Sequence, residues 1–319
     1  MDNIRLRLTP ALECYLVALI YRNTRTSCCS LAALCARMSH DTLRRLLHAK
    51  LSWSRRLWFC FACHMVERGG YLVLDDTTWQ RYAERAEAVS WVWSSTAGRA
   101  VRGMQVVLLI WTDGTRKVPI GMRVWRAGGR SKVELAREML DEAARRKLTP
   151  KYVLFDSWYT AAALINRVDE LGWKYVARLK SNRLLDGIAV RRTWRTRFGH
   201  ATGRLRKVSH TVLVVKDGRR YFVTNDTGLT PAAVKAAYRF RQQIEEVFRL
   251  LKQEFGWGAA SVRKVTAQTA HLHLGLFALC LVQRAALEDG QTVYAFKHNL
   301  FRQPIPQHLP LLDSFRVAA

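Results

Sequence analysis

The rhythm of apolar positions along this chain first breaks clearly at Gly69-Gly70. Before that point apolar residues recur at helical spacing. Ser30 to Arg37 (SLAALCAR) predicts a short amphipathic helix, and His40 to Lys50 (HDTLRRLLHAK) a second. Ser39 stands where an N-cap belongs, and Asp41 falls in the first turn, where the helix dipole favours negative charge. The second helix carries Arg44, Arg45, His48 and Lys50. Two short helices with a tight break, the second basic, fit a helix-turn-helix or an ordinary helical hairpin.

After Gly70 the pattern becomes that of strands. Tyr71 to Leu74 is a continuous apolar run ending in Asp75-Asp76. Val106 to Trp111 ends at the turn Asp113-Gly114, and Val118 to Trp125 runs to Gly128-Gly129. Ser131-x-x-Glu134 is a capping box that starts a helix to about Lys147. Tyr152 to Phe155 is another strand, closed by Asp156. A helix from Thr160 to Leu171, with Gly172 as its C′ residue, leads to a strand from Lys174 to Leu179. Three strands, then helix, strand, helix, strand, predict a mixed α/β sheet with an antiparallel start. Lys180 to Leu229 is a β-rich insertion whose hairpin turns at Lys216 to Arg219. Pro231 opens one long helix to about Phe255, residues 267–287 form an apolar helix, and a tail with Pro304, Pro306 and Pro310 is an irregular strap. The expected division is an N-terminal helical domain (1–68), an α/β domain in two parts (69–179 and 230–290), the insertion between them (180–229) and a tail (291–319).

Composition narrows the partners. Half the chain is apolar (49%), enough for a large core, so it is not a disordered tail. Its 52 Lys and Arg against 25 Asp and Glu leave a net charge of +27. Self-repulsion of that size suits a polyanionic partner: nucleic acid first, an anionic membrane surface second. Seven cysteines, an odd and clustered set, do not make a secreted disulfide framework. The apolar run from Leu272 to Val282 is about half of the ~20 residues a membrane span needs. Glu13 interrupts the run from Pro10 to Tyr21, which excludes a convincing signal peptide. The expected setting is therefore a reducing cytosol. Cys60-Phe61-Ala62-Cys63-His64 matches a haem-attachment pattern, but its apolar flanks favour buried helical cysteines. His271 and His273 on the apolar helix are expected in the core.

Candidate chemistry lies with the acids. Asp75, Asp76 and Asp156 follow apolar runs, where a carboxylate is costly unless paired or metal-bound. Alone, each reads as a cap or turn residue. On a continuous helix turning about 100° per residue, Tyr238, Arg241, Glu245 and Lys252 share a wedge about 60° wide. It lies beside a stripe formed by Phe240, Ile244, Val247, Phe248, Leu251 and Phe255. That edge is equally a surface of salt-bridging charges or a functional one.

Tyr238-x-x-Arg241-x-x-x-Glu245-x-x-x-x-x-x-Lys252 resembles the Y-R-E-K signature of bacterial insertion-sequence DDE transposases. LVLDDTTW (Leu72 to Trp79) resembles that family's first-aspartate strand, and VLFDSWYT (Val153 to Thr160) its second. The resemblance covers about residues 70–285. It implies a ribonuclease-H-like fold with the β-rich insertion before the glutamate. It also implies that Asp75, Asp156 and Glu245 are catalytic and hold metal. Asp76 is the alternative to Asp75, because neighbouring strand residues face opposite ways; the family's Asp-x-Thr form favours Asp75. Tyr238, Arg241 and Lys252 would then contact DNA near the cleaved strand.

The implied chemistry is phosphodiester cleavage at transposon ends, followed by attack of the freed 3′-OH on target DNA. Two Mg²⁺ or Mn²⁺ ions about 3.5–4 Å apart would activate water and stabilise the leaving oxygen. Expected partners are double-stranded DNA and a second copy of the chain, with no membrane and no small-molecule cofactor. The bacterial cytoplasm, at the nucleoid, is the expected location. Arg191, Arg192, Arg195 and Arg197, interleaved with Trp194 in an acid-free stretch, fit either a DNA backbone with an exposed base or a solvated hairpin face. Arg44 and Arg45 are further DNA candidates. Two other readings share this scaffold: a DNA-binding protein without activity, and a nuclease that does not join strands.

Overall fold

The computed structural model describes residues 9–21, 27–35, 38–81, 86–94, 97–306 and 309–312. The expected helix end at Arg37 and the last residues of the tail lie outside this set. Helices α1 (Pro10–Tyr21), α2 (Cys28–Cys35), α3 (His40–His48) and α4 (Trp53–Cys60) precede the first strand. Every residue of α1 from Cys14 to Tyr21 is buried, as expected of a helix that is apolar all round. In α3, Ser39 Oγ accepts the Thr42 N–H at 3.2 Å, as the sequence predicts. Leu43, Leu46 and Leu47 point inward, while Arg44 and Arg45 are exposed.

The sheet begins with β1 (Tyr71–Gln80), β2 (Ser90–Ser94), β3 (Arg99–Thr112) and β4 (Lys117–Trp125). β1 does not stop at Leu74. Thr77, Thr78 and Trp79, good strand formers, keep pairing with β3 as far as Gln80 opposite Gly103. Asp75 and Asp76 therefore sit inside a ten-residue strand rather than at its end. On the far side of β3, β2 pairs with its first part and β4 with the rest. After α5 (Lys132–Arg145), opened by the Ser131/Glu134 capping box, β5 (Tyr152–Phe155) lies parallel to β1. Beyond α6 (Ala162–Glu170), β6 (Tyr175–Leu179) lies parallel to β5.

The expected insertion starts with a small hairpin, β7 (Leu184–Leu185) and β8 (Ile188–Ala189), and a short helix α7 (Val190–Thr193). It continues as β9 (Phe198–Gly203), β10 (Val212–Asp217) and β11 (Arg220–Thr224). These three strands extend the main sheet, whose order is β2-β3-β1-β5-β6-β11-β10-β9 with β4 beside β3. Val212 to Val215 and Tyr221 to Thr224 are buried without alternation, the pattern of strands covered on both faces.

The expected long helix is two: α8 (Pro231–Arg239) and α9 (Gln242–Gln253). Between them the chain tightens, with Phe240 N–H donating to Ala237 C=O at 3.3 Å and Arg241 N–H to Tyr238 C=O at 3.0 Å. Neither proline nor glycine causes this. The tightening coincides with the docking of Phe240, which stacks on Tyr71 at 4.1 Å between ring centres.

α10 (Val265–Glu288) is 24 residues long and, by length and composition, apolar enough to cross a membrane. Its most apolar stretch is 83% buried within the fold, which makes it a core helix packed on the N-terminal helices, β4 and α9. His271 and His273 are buried on it, as expected. Tyr15 Oη donates to His271 Nδ1 at 2.9 Å, and His271 Nε2 donates to Gly256 C=O at 2.9 Å. Cys60 and Cys63 are only half-buried, at the end of α4 and the turn after it; among the described thiols, Cys14 and Cys280 are buried. The expected irregular tail contains α11 (Val293–Phe301), capped by Thr292.

α11 buries Lys297 completely. Its Nζ lies 3.9 Å from Glu254 and 3.9 Å from the centre of the Phe301 ring, with no hydrogen-bond partner. Burial pulls its pKa down from 10.5 to about 7, against the pull of Glu254. Between those values the unfolded chain binds more protons than the folded one, so this residue's contribution rises with pH. The melting temperature of Lys297→Met relative to the wild type should therefore be highest near pH 7 and decline toward pH 10. An unchanging difference in a thermal-melt pH series would contradict the buried amine.

Candidate active site

Strand register brings the first two acids together. β1 pairs with β5 as far as Leu74 opposite Phe155, so Asp75 and Asp156 are the next residues on adjacent chains. Asp75 is 9% exposed and shares its face of β1 with Val73 and Thr77. Asp156 Oδ1 accepts the Trp158 N–H at 2.8 Å and the Tyr159 N–H at 3.4 Å, which fixes the turn into α6.

The neighbour of Asp75 faces the other way. Asp76 accepts from Tyr159 Oη at 2.9 Å on one oxygen and from Lys132 Nζ at 2.9 Å on the other. Both partners are largely enclosed, so the Asp76 side chain is held on the α5 side of the sheet. Asp75 faces α9 instead.

Arg241 links the strand to the helix. Its Nη2 donates to Asp75 Oδ2 at 2.5 Å, and its Nη1 donates to Glu245. One guanidinium thus bridges the buried aspartate and a glutamate whose side chain is 57% exposed. The tightening between α8 and α9 places Arg241 at this junction. Burial raises the Asp75 carboxyl from 3.8 to about 7; Arg241 opposes the rise, while Asp156 and Asp76 add to it. For Arg241, burial disfavours the charge, but Asp75, Tyr238, Glu245 and Asp156 outweigh it and raise the pKa.

Tyr238 is half-buried, with its ring edge-on to Phe222 at 5.1 Å. Burial raises its pKa, and Arg241 and Arg178 act against that. Lys252 is turned onto the sheet, its Nζ donating to Thr78 C=O at 3.1 Å, and burial lowers its pKa. All four residues of the predicted edge therefore lie along the β1 face that carries Asp75, or the strands beside it.

The remaining candidates lie apart from this cluster. Arg191 N–H donates to Ser181 C=O, so α7 stands over the end of β6, beside the strand end that carries Asp156. Arg191, Arg192, Arg195 and Arg197 are exposed there. Trp194 is not splayed outward; it packs over Gly199, where an added Cβ would meet its ring at 2.4 Å. Arg44 and Arg45 line an open hollow with Asp41 and His48, on α3.

Sequence reasoning missed three residues. Tyr159 and Lys132 hold Asp76, and only the tertiary contact reveals them. Arg178 lies 5.6 Å from the Phe222 ring centre beside Tyr238; a charge inside the apolar strand YVARL was a readable signal. The Nε atoms of Arg178 and Arg241 are buried without a hydrogen-bond partner.

The acids suit a hard divalent cation in kind: all donors are oxygen, and mutual repulsion at Asp75 favours added positive charge. Among the described residues, no three acidic, histidine or cysteine side chains stand close enough to share an ion. Arg241 occupies the place between Asp75 and Glu245.

The family described as "Transposase DDE domain" matches residues 69–281, which contain both aspartates and the whole Tyr-Arg-Glu-Lys edge. The chain belongs to this family of DDE transposases. It is an enzyme of the nuclease and nucleotidyl-transferase type. The fold is the ribonuclease-H-like one of a solved transposase. The piggyBac transposase synaptic complex with hairpin DNA is similar with a TM-score of 0.55, at 12% identity over 97% of this chain and 72% of that one. The NurA nuclease from Sulfolobus solfataricus (11% identity, 60% of this chain and 86% of that one) and the catalytic domain of human Endonuclease V (15%, 66% and 94%) both score 0.30, too low to bear on the fold. No curated protein matches this transposase.

The raised Asp75 carboxyl sets a pH signature. Between pH 3.8 and about 7 the folded chain keeps a proton that the unfolded chain releases, so stability from this group falls as pH rises through that window. Without divalent ions, Asp75→Asn should melt higher than the wild type at pH 8, and the gain should shrink toward pH 5. A gain that grows on acidification would reverse the assignment of Asp75 as the strained acid.

Proposed function

We infer that this transposase cuts DNA at element ends and joins the freed 3′-OH to target DNA, with Asp75, Asp156 and Glu245 as the catalytic acids. The single observation that carries the reading is the Arg241 bridge: it ties Glu245 to Asp75, which the β1–β5 register sets beside Asp156. Once Arg241 leaves the place between Asp75 and Glu245, these three carboxylates would hold Mg²⁺ or Mn²⁺, two ions by analogy with other phosphoryl-transfer sites. When bound, such ions polarise the phosphate and lower the pKa of an attacking water.

The chain's own residues do the rest. Arg241 balances the acids until cation and DNA arrive, then is free to turn its guanidinium to phosphate. The unpartnered Nε atoms of Arg178 and Arg241 offer donors for that phosphate. Tyr238, between them, orients the strand, and Lys252 holds phosphate beyond Glu245. Asp76, tied to Tyr159 and Lys132, positions the strand that carries Asp75 without touching substrate. In cleavage, water adds to phosphorus as the P–O3′ bond breaks; in joining, the 3′-OH adds as a target P–O bond breaks. Neither step needs a covalent enzyme intermediate or any oxidant.

Arg191, Arg192, Arg195 and Arg197 carry the flanking backbone, with Trp194 as the packed support of that segment. Arg44 and Arg45 on α3 are a second contact with duplex DNA, in keeping with the surplus positive charge. Two copies on paired ends, working in the bacterial cytoplasm at the nucleoid, complete the proposal. So does the expected division into a helical N-terminal domain, a two-part catalytic domain and a β-rich insertion.

Asp156→Ala should reduce cleavage of an end-bearing duplex by about a hundredfold or more, while binding to the same duplex is retained. Undiminished cleavage would remove Asp156 from the site. A labelled end with a free 3′-OH, incubated with plasmid and Mg²⁺, should give joined product; hydrolysis alone would identify a nuclease without joining activity. Affinity should fall with salt at a log–log slope of roughly −0.9 per neutralised phosphate. A flat response in a binding titration would exclude a basic DNA surface.

A further inference from the structure

Trp91 and Trp93 are the most exposed tryptophans among the described residues, at 70% and 64%. They sit on β2, an edge strand, with Val92 buried between them. Pleating puts both indoles on one face. Which face follows from the register. Trp91 is opposite Arg102 and Trp93 opposite Ala100 on β3. Arg102 and Ala100 alternate with Met104, which is opposite Trp79 on β1. Trp79 alternates with Thr77 and Asp75. The two indoles therefore lie on the sheet face that carries Asp75, not on its back.

They also lie at a definite distance. Asp75 is opposite Leu108, six residues from Arg102 along β3. At about 3.4 Å per residue, this is roughly 20 Å along the strand. The surface between is not empty. Lys252 is fastened to Thr78, and Trp79 packs on Trp257 with ring centres 6.0 Å apart. Arg263, whose C=O accepts the Glu87 N–H, and Lys264 are exposed near the start of β2. Cations thus stand at both ends of the way from the acids to the indoles: Lys252 against β1, and Arg263 and Lys264 near β2, the last paired with Glu87 at 2.8 Å.

Two indoles in water on an edge strand are costly to keep unless something covers them. A basic chain covers such rings best with bases, whose faces stack on aromatics whatever their sequence. The rings are attached two residues apart, about 7 Å, close to two steps of a base stack. Arg102 stands directly opposite one of them, where a backbone phosphate would follow the stacked base.

We propose that Trp91 and Trp93, with Arg102, form a stacking platform for unpaired bases of the DNA strand whose phosphate is attacked at Asp75. This rests on the DNA-cutting reading above. It adds a place about 20 Å from the acids where that strand is held open.

The test uses the full chain with a 20-nucleotide single strand and a blunt duplex of the same sequence. Trp91→Ala/Trp93→Ala should lose about tenfold or more in affinity for the single strand and much less for the duplex. Its melting temperature should match the wild type, because the removed rings are exposed. Trp91→Phe/Trp93→Phe should restore most of the loss. Should the alanine pair fold poorly, photocrosslinking of the wild type to a 5-iodouracil-substituted strand should map to Trp91 or Trp93. Equal affinity of the alanine variant for the single strand overturns the platform alone. Equal affinity with a change from dimer to monomer by light scattering overturns it in favour of a second copy as the cover. A wild type that binds neither probe overturns the platform and the DNA-cutting reading together.

Discussion

A buried carboxylate must find a counter-charge, and in this transposase that constraint organises the centre of the molecule. Asp75 sits inside a strand, next to Asp76 and beside Asp156, where burial and repulsion both work against its ionisation. Arg241 supplies the missing charge from another part of the chain and, through its second nitrogen, collects Glu245. Lys252, donating to Thr78 C=O at 3.1 Å, is a second polar tie between the helix edge and the strand. The same arrangement that destabilises Asp75 makes the position attractive to a cation.

The sheet and helices serve this meeting. Parallel pairing of β1 with β5 brings two aspartates level although 81 positions separate them in sequence. Docking of Phe240 on Tyr71 tightens the chain just before Arg241 and fixes where the helix edge falls. α10, buried through most of its length, backs α9 and β4 and joins the N-terminal helices to the same hydrophobic core. Stability here comes from apolar burial, and the charged face is carried on it. The fully buried amine of Lys297 shows the same core tolerating a misplaced cation when aromatic rings and one carboxylate surround it.

Much of the fold was legible because its signals are local. Runs such as YVLF, the Ser131/Glu134 capping box, the Gly172 helix stop and the turn at Gly218 each depend on residues within a few positions of one another. The extent of β1 was not legible, because an acidic pair inside a strand reads as its end; only the long partner β3 keeps it paired. The break between α8 and α9 left no proline or glycine to read. The extension of the sheet by β9 to β11 depends on which edge β11 meets, and apolar strands alone do not specify an edge. Trp194 looked like a base-stacking ring by composition, yet it packs over Gly199.

The sequence by itself determined the element types, the surplus of positive charge and the order of acids and helix-borne signature that mark a DDE transposase. These are properties of composition and short-range spacing, and they survive in an unfolded chain. Tertiary structure alone decided that Asp75 rather than Asp76 faces Arg241, that Lys252 turns onto Thr78, and that Trp91 and Trp93 share a face with the acids. The second depends on how α9 docks on the sheet, the first and the last on strand register. A slip of one residue sends every side chain of a strand to the opposite face, and only long-range pairing chooses between the two.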